Sequence, residues 1–103
     1  MLVVFTTTPN KEEAENLARK LVEEKLAGCV QIVPQITSFY RWENEIQRDE
    51  ECLLLIKTLP EKFVELEAFI KANHSYSVPE IVAVNAQEVS EDYLKWLEGV
   101  TGY

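Results

Sequence analysis

The stretch CLLLIK, residues 52–57, decides the fold. Leu53 to Ile56 form an unbroken apolar run, and a strand with only one buried face would alternate apolar with polar residues instead. Large side chains therefore stand on both faces of a sheet, and each face needs a cover. Extended backward, this strand runs from about Ile46 to Thr58. The polar ENE (43–45) before it reads as a hairpin turn, and before that lie ITSFYRW (36–42), a break at Pro34, and CVQIV (29–33). These stretches are rich in β-branched and aromatic residues, which favour strand over helix, so a long hairpin is expected.

Helices flank the hairpin. Upstream, LVVFTT (2–7) reads as a short buried strand, and Pro9 and Asn10 open a helix in which Asn10 with Glu13 resembles a capping box. Ala14, Leu17, Ala18, Leu21 and Val22 then recur at helical spacing. Gly28 is expected to stop this helix in a left-handed cap. Downstream of Pro60, Phe63, Leu66, Phe69 and Ile70 mark one helical face, with Asn73 as C-terminal cap. The strand EIVAV (80–84) follows, and Ser90 caps a last short helix, SEDYLKWLEG, that Gly99 is expected to end. The order β-α-β-β-α-β plus a short C-terminal helix is the split βαβ arrangement of ferredoxin-like α+β domains, with two helices on one face of an antiparallel sheet. The other face is expected to pack against further subunits.

Composition bounds the function. The 103 residues fit one domain, and 47% hydrophobic with 27% charged residues is an ordinary globular balance. A chain this short gains stability by sharing a buried face with a partner. Ten basic against eighteen acidic residues give a net charge of −8, which repels nucleic acid and anionic lipid. No nucleic-acid or membrane partner is expected. Cys29 and Cys52 are too few and too far apart for a metal knuckle or disulfide framework, and they read as reduced thiols of a cytoplasmic protein. The start MLVVFTTTPN lacks the marks of a signal peptide, in keeping with that compartment.

GCVQIVP (28–34), TSFYRWENEI (37–46), EECLLLIKT (50–58), HSYSVPEIVAV (74–84) and YLKWL (93–97) together resemble the CutA proteins, often called divalent-cation tolerance proteins. The resemblance spans nearly the whole chain. It implies a PII-like homotrimer whose sheets face a common axis and whose hairpin arms reach neighbouring subunits. It also implies a part in tolerance of copper and other heavy metals. Thr6 and Asn73 stand where some members carry a cysteine and a second histidine, and Ser75 where a proline is frequent.

His74, the only histidine, could be a dipole-favoured surface group at a helix end, or a ligand for copper or zinc at a subunit cleft. Cys29 is the second candidate ligand, weighed against an inert small hydrophobe. With Thr6 and Asn73 supplying no thiolate or imidazole, any such binding is expected to be weak, and no cofactor is required. Tyr76 and Glu80, near the fourth strand, and Lys57, at the end of the third, are candidates for lining a ligand cleft. Tyr40 and Trp42, two apart on the hairpin, share a face and are expected to pack on a neighbour, as is Leu54 or Leu55, whichever faces the axis. Cys52 reads as core, and the acidic runs 43–51 and 61–67 as solvated faces. No catalytic constellation stands out, so a binding or signalling module is preferred. The alternatives are an enzyme with an interface site, using Cys29 or His74 beside Lys57 or Glu80, and a purely structural trimer.

Overall fold

In the computed structural model, which describes residues 1–102, four strands form one antiparallel sheet. They are β1 (Leu2–Thr8), β2 (Cys29–Trp42), β3 (Glu45–Thr58) and β4 (Val82–Asn85). The helices are α1 (Lys11–Glu23), α2 (Phe63–Asn73), entered through a 3₁₀ turn at Pro60–Lys62, and α3 (Glu91–Val100). Sheet order is β2-β3-β1-β4, with β3 antiparallel to both β1 and β2. This is the split βαβ fold expected from the element order.

Alternation along β3 sorts the apolar run. Cys52, Leu54 and Ile56 point into the core beside Val4, Leu17, Leu21, Leu66 and Ile70, while Leu53 and Leu55 are only half-buried on the opposite face. Leu54, fully buried within a single chain, is thus removed from the candidates for the subunit axis, and Leu55 takes that place. Cross-strand pairing gives Leu55 and Leu53 the neighbours Phe5, Thr7, Gln31 and Val33, with Val3 opposite Lys57. At the edge, Val82 and Val84 pair with Phe5 and Val3, and each is half exposed.

The break at Pro34 is a β-bulge within one continuous strand. Val33 pairs with Leu53 and Ile36 with Glu51, so Pro34 and Gln35 together oppose Cys52. Proline is tolerated at a bulge because no ladder bond is asked of it, and Gln35 takes a left-handed φ of 58°. The extra residue keeps Ile36, Ser38, Tyr40 and Trp42 on the same face as Leu53 and Leu55. The turn is tighter than expected: Glu43 and Asn44 both have positive φ, 51° and 64°, and Trp42 pairs directly with Glu45. A two-residue turn of this kind matches the right-handed twist of the strands.

Both glycine stops are corrected. Helix α1 ends in a Schellman motif, Leu26 N–H to Leu21 O at 3.0 Å and Lys25 N–H to Val22 O at 3.1 Å, with Lys25 itself left-handed at φ 59°. Gly28 answers to packing instead, because a Cβ there would lie 2.3 Å from Leu97 Cδ1. Helix α3 runs through Gly99 to Val100, and the left-handed residue beyond it is Gly102.

Candidate functional site

Asn10 caps α1 as expected, its Oδ1 accepting from Glu13 N–H at 2.8 Å. The other half of the box is absent, and the Glu13 carboxylate turns to the segment after α2. Its Oε2 accepts from both the N–H and the Oγ of Ser75 at 3.1 Å. A proline at 75 would have no N–H to give. Helix α2 ends because His74 is extended, φ −107° and ψ 143°, while the Asn73 side chain donates to Phe69 O at 2.9 Å.

The imidazole of His74 is fully buried although its backbone is partly exposed. Nε2 lies 2.6 Å from the Thr7 carbonyl oxygen, and Nδ1 lies 3.0 Å from Tyr76 N–H. A carbonyl requires a donor and an N–H requires an acceptor, so the network assigns the neutral tautomer with its proton on Nε2. Both ring nitrogens are then engaged. The ring also lies 4.8 Å from that of Tyr76, centroid to centroid, and Glu13 Oε2 stands 3.5 Å from Nδ1. His74 ties the end of β1 to the start of the 74–80 segment, with its ring buried rather than exposed at the helix end. Thr6 is buried on the helix side of β1, opposite Leu54.

What the segment positions is Tyr76. Its hydroxyl donates to Glu51 Oε2 at 2.8 Å, and Glu51 is only 8% exposed. Burial first, and then the Glu51 bond and charge, push the Tyr76 hydroxyl far above its ordinary pKa. One register step outward, Tyr40 donates to Asp49, a bond that raises the Tyr40 pKa, with the Asp49 and Glu51 charges adding to it. Between the hairpin and the 75–80 segment lies a cleft of about 650 Å³. Tyr40, Trp42, Tyr76, Glu51, Glu80 and Ser38 are among its lining residues. The structure thus joins Tyr76 and Glu80, expected in a cleft, to Tyr40 and Trp42, expected at an interface.

Lys57 and Cys29 lie elsewhere. They pair across β2 and β3, with Lys57 Nζ 5.9 Å from the centre of the Tyr93 ring. Burial and the neighbouring Cys29 raise the Tyr93 pKa. Thr7, which His74 holds, pairs with Leu53, four residues along β3 from Lys57, or about 13 Å at strand spacing. Within one chain Cys29 and His74 do not converge on one centre. Three further residues escaped the sequence reading: Glu13 inside its capping pattern, and Asp49 and Glu51 inside a run taken as solvated. A two-residue turn after Trp42 would have put Asp49 near Tyr40. Only the bulge brings Glu51 into line.

Residues 2–100 match the family described as CutA1 divalent ion tolerance protein. The chain belongs to the CutA1 family. It is 50% identical over 100 residues to the divalent-cation tolerance protein CutA of Thermus thermophilus, an alignment covering 97% of each chain. The solved Thermus structure superposes with a TM-score of 0.95, covering 99% of this chain and all of the other. The chloroplastic CutA of Arabidopsis thaliana is 46% identical over 97% of this chain, which spans 55% of that longer protein. A structure from Archaeoglobus fulgidus, called a periplasmic divalent cation tolerance protein, is 39% identical with a TM-score of 0.94, covering 98% of this chain and 99% of the other. Membership places this CutA1 protein in divalent ion tolerance.

A resident metal is not what the site residues fit. A ligand nitrogen must present its lone pair to the ion, and that of His74 Nδ1 is directed at Tyr76 N–H. Among the described residues no three His, Cys, Asp or Glu side chains are grouped to hold an ion. Nor is any helix among them long and apolar enough to cross a membrane.

Proposed function

We propose that this CutA1 protein acts in divalent-cation tolerance as a homotrimeric binding or signalling module, completed when neighbouring copies cover the bare sheet face and the hairpin arm. The observation that supports this most is the bare face itself. Phe5, Leu53, Leu55, Val82 and Val84 stand together there, whereas both long helices pack on the other side. The arm is apolar on both of its faces, with Phe39 69% exposed on one and Trp42 47% exposed on the other. A face that receives and an arm that gives are different parts of the chain, and head-to-tail contacts of that kind form a ring where the rotation between copies closes. Three members is the number implied by the sequence resemblance. Copper or zinc binding, in this reading, is weak and independent of His74. The compartment we propose is the cytoplasm, since Cys29 and Cys52 are both free thiols.

Light scattering on the purified protein tests the assembly, with three times the chain mass expected and a stable monomer at micromolar concentration overturning it. Calorimetry tests the metal statement. His74→Ala should leave the copper isotherm unchanged, and tight binding lost in that variant would show the imidazole turning outward to the ion.

A further inference from the structure

One nitrogen of His74 stands between two possible partners. The side chain is wholly buried, and in its neutral form Nε2–H donates to Thr7 O while Nδ1 accepts from Tyr76 N–H at 3.0 Å. The Glu13 carboxylate oxygen Oε2 lies 3.5 Å from the same Nδ1. Two acceptors at that distance have no proton to share while the imidazole is neutral, and Oε2 takes its hydrogen bonds from the N–H and Oγ of Ser75 instead. A second proton on the ring reverses the situation. Imidazolium has two N–H donors and no acceptor, so the Tyr76 N–H loses its partner and meets a like donor, whereas Glu13 gains a charged one.

The groups around the ring favour that exchange. Helix α1 presents Glu13, with Glu12 and Lys20 farther along the same groove, and α2 presents the uncharged Asn73. Strand β1 meets the ring with the Thr7 carbonyl, the segment itself brings Tyr76, and behind Tyr76 lies Glu51 of β3. What the exchange releases is free to move. Residues 75–81 lie outside every helix and strand, and Ser75 and Ser77, on either side of Tyr76, are exposed, so the freed Tyr76 N–H can turn to water. Histidine is the side chain suited to such a task, because its charge changes between about pH 5 and 8. We propose that His74 is a proton-operated latch: a second proton transfers Nδ1 from Tyr76 N–H to Glu13 and loosens the 75–80 segment from the seam that Tyr76 makes with Glu51. The latch rests on contacts within one chain and stands apart from the trimer reading.

Nuclear magnetic resonance on the full chain tests it, since the one histidine gives one imidazole signal and the four tyrosines give four amide signals in protein labelled at those residues. The titration runs from about pH 8 to about pH 5, with EDTA present so that no metal ion contributes. Tyr76→Phe identifies the Tyr76 amide as the signal it lacks. One shared midpoint is expected for the imidazole and the Tyr76 amide, whose proton should move upfield as its hydrogen bond is lost, while the Tyr93 amide on α3 stays still. In protein labelled at glutamate, the Glu13 carboxyl carbon, identified by its absence in Glu13→Gln, should move at that same midpoint. His74→Asn should hold the Tyr76 amide fixed throughout, because an amide oxygen accepts as Nδ1 does but takes no proton. If that variant fails to fold, the coincidence of the wild-type midpoints decides alone. An imidazole that titrates without moving the Tyr76 amide or the Glu13 carboxyl, one that takes no second proton before the chain unfolds, or an amide shift that persists in His74→Asn overturns the proposal. Light scattering on the same samples separates the two readings: a trimer without the shared midpoint sinks the latch alone, and a monomer that shows it sinks only the trimer.

Discussion

The two halves of the β2–β3 hairpin are one continuous ribbon held in opposite ways. In the half nearest the helices, Leu54 and Ile56 are wholly buried within the chain. Beyond the bulge, Phe39 is 69% and Ile46 71% exposed, and the ribbon stretches the molecule to 45 Å in one direction against 25 and 22 Å in the others. Isolated two-stranded ribbons are marginal in water. The inner half is therefore stabilised by its own chain, whereas the outer half carries apolar surface that its own chain leaves exposed. Substitutions in the two halves should accordingly fail in different ways.

The largest effect belongs to the inner half. Leu54→Ala should cost about 2–5 kcal/mol, the range for truncating a fully buried leucine, and denaturant unfolding should show the loss at the level of the single chain. Its neighbour separates folding from assembly. Leu55→Asp should leave native circular dichroism yet shift light scattering from the proposed trimer to monomer, because a charge on the bare face would be buried and repeated in every copy. A folded trimer carrying Leu55→Asp would refute the bare face as the interface.

Leu54 and Leu55 also show where sequence reading ran out. The element order was legible because each element carries its own period, and the run from Leu53 to Ile56 told that both faces are apolar. It could not say which leucine faced which way, since parity is invisible when four neighbours are all apolar. The glycines misled for a related reason: Gly28 is required by Leu97, a contact between residues far apart in the chain. Of the site, the 74–80 segment announced itself through its single histidine and its proline. Its carboxylate partners did not. Glu51 reaches Tyr76 because the bulge at Pro34 and Gln35 resets the strand, and Glu13 reaches Ser75 because its capping bond is forgone.

The outer half should respond to Trp42→Ala with a loss of about 2–4 kcal/mol per interface, as for aromatic anchors elsewhere. Trimer dissociation on dilution measures it, while the unfolding of the separated chain should hardly change. An equal loss in the monomer would make Trp42 part of the hairpin's own packing and weaken the contrast between the halves.

The smallest effect lies at the seam. Tyr76 joins the 74–80 segment to Glu51, the residue just beyond the bulge. Tyr76→Phe should cost about 1 kcal/mol at neutral pH, the net value of one hydrogen bond. Alkali gives the sharper reading. In the folded protein this hydroxyl keeps its proton well above its ordinary value of 10.0, through burial and then through Glu51, with Tyr40 and Asp49 facing it as well. In the unfolded chain it ionises near that ordinary value, so from about pH 10 upward the unfolded state binds fewer protons and folding stability falls as pH rises. Phenylalanine removes that slope. Urea unfolding at pH 7, 10 and 11 should therefore show the gap between wild type and Tyr76→Phe narrowing in alkali. A gap that stays constant or widens would mean that the hydroxyl is solvated, and that the seam is held by His74 and Glu13 alone.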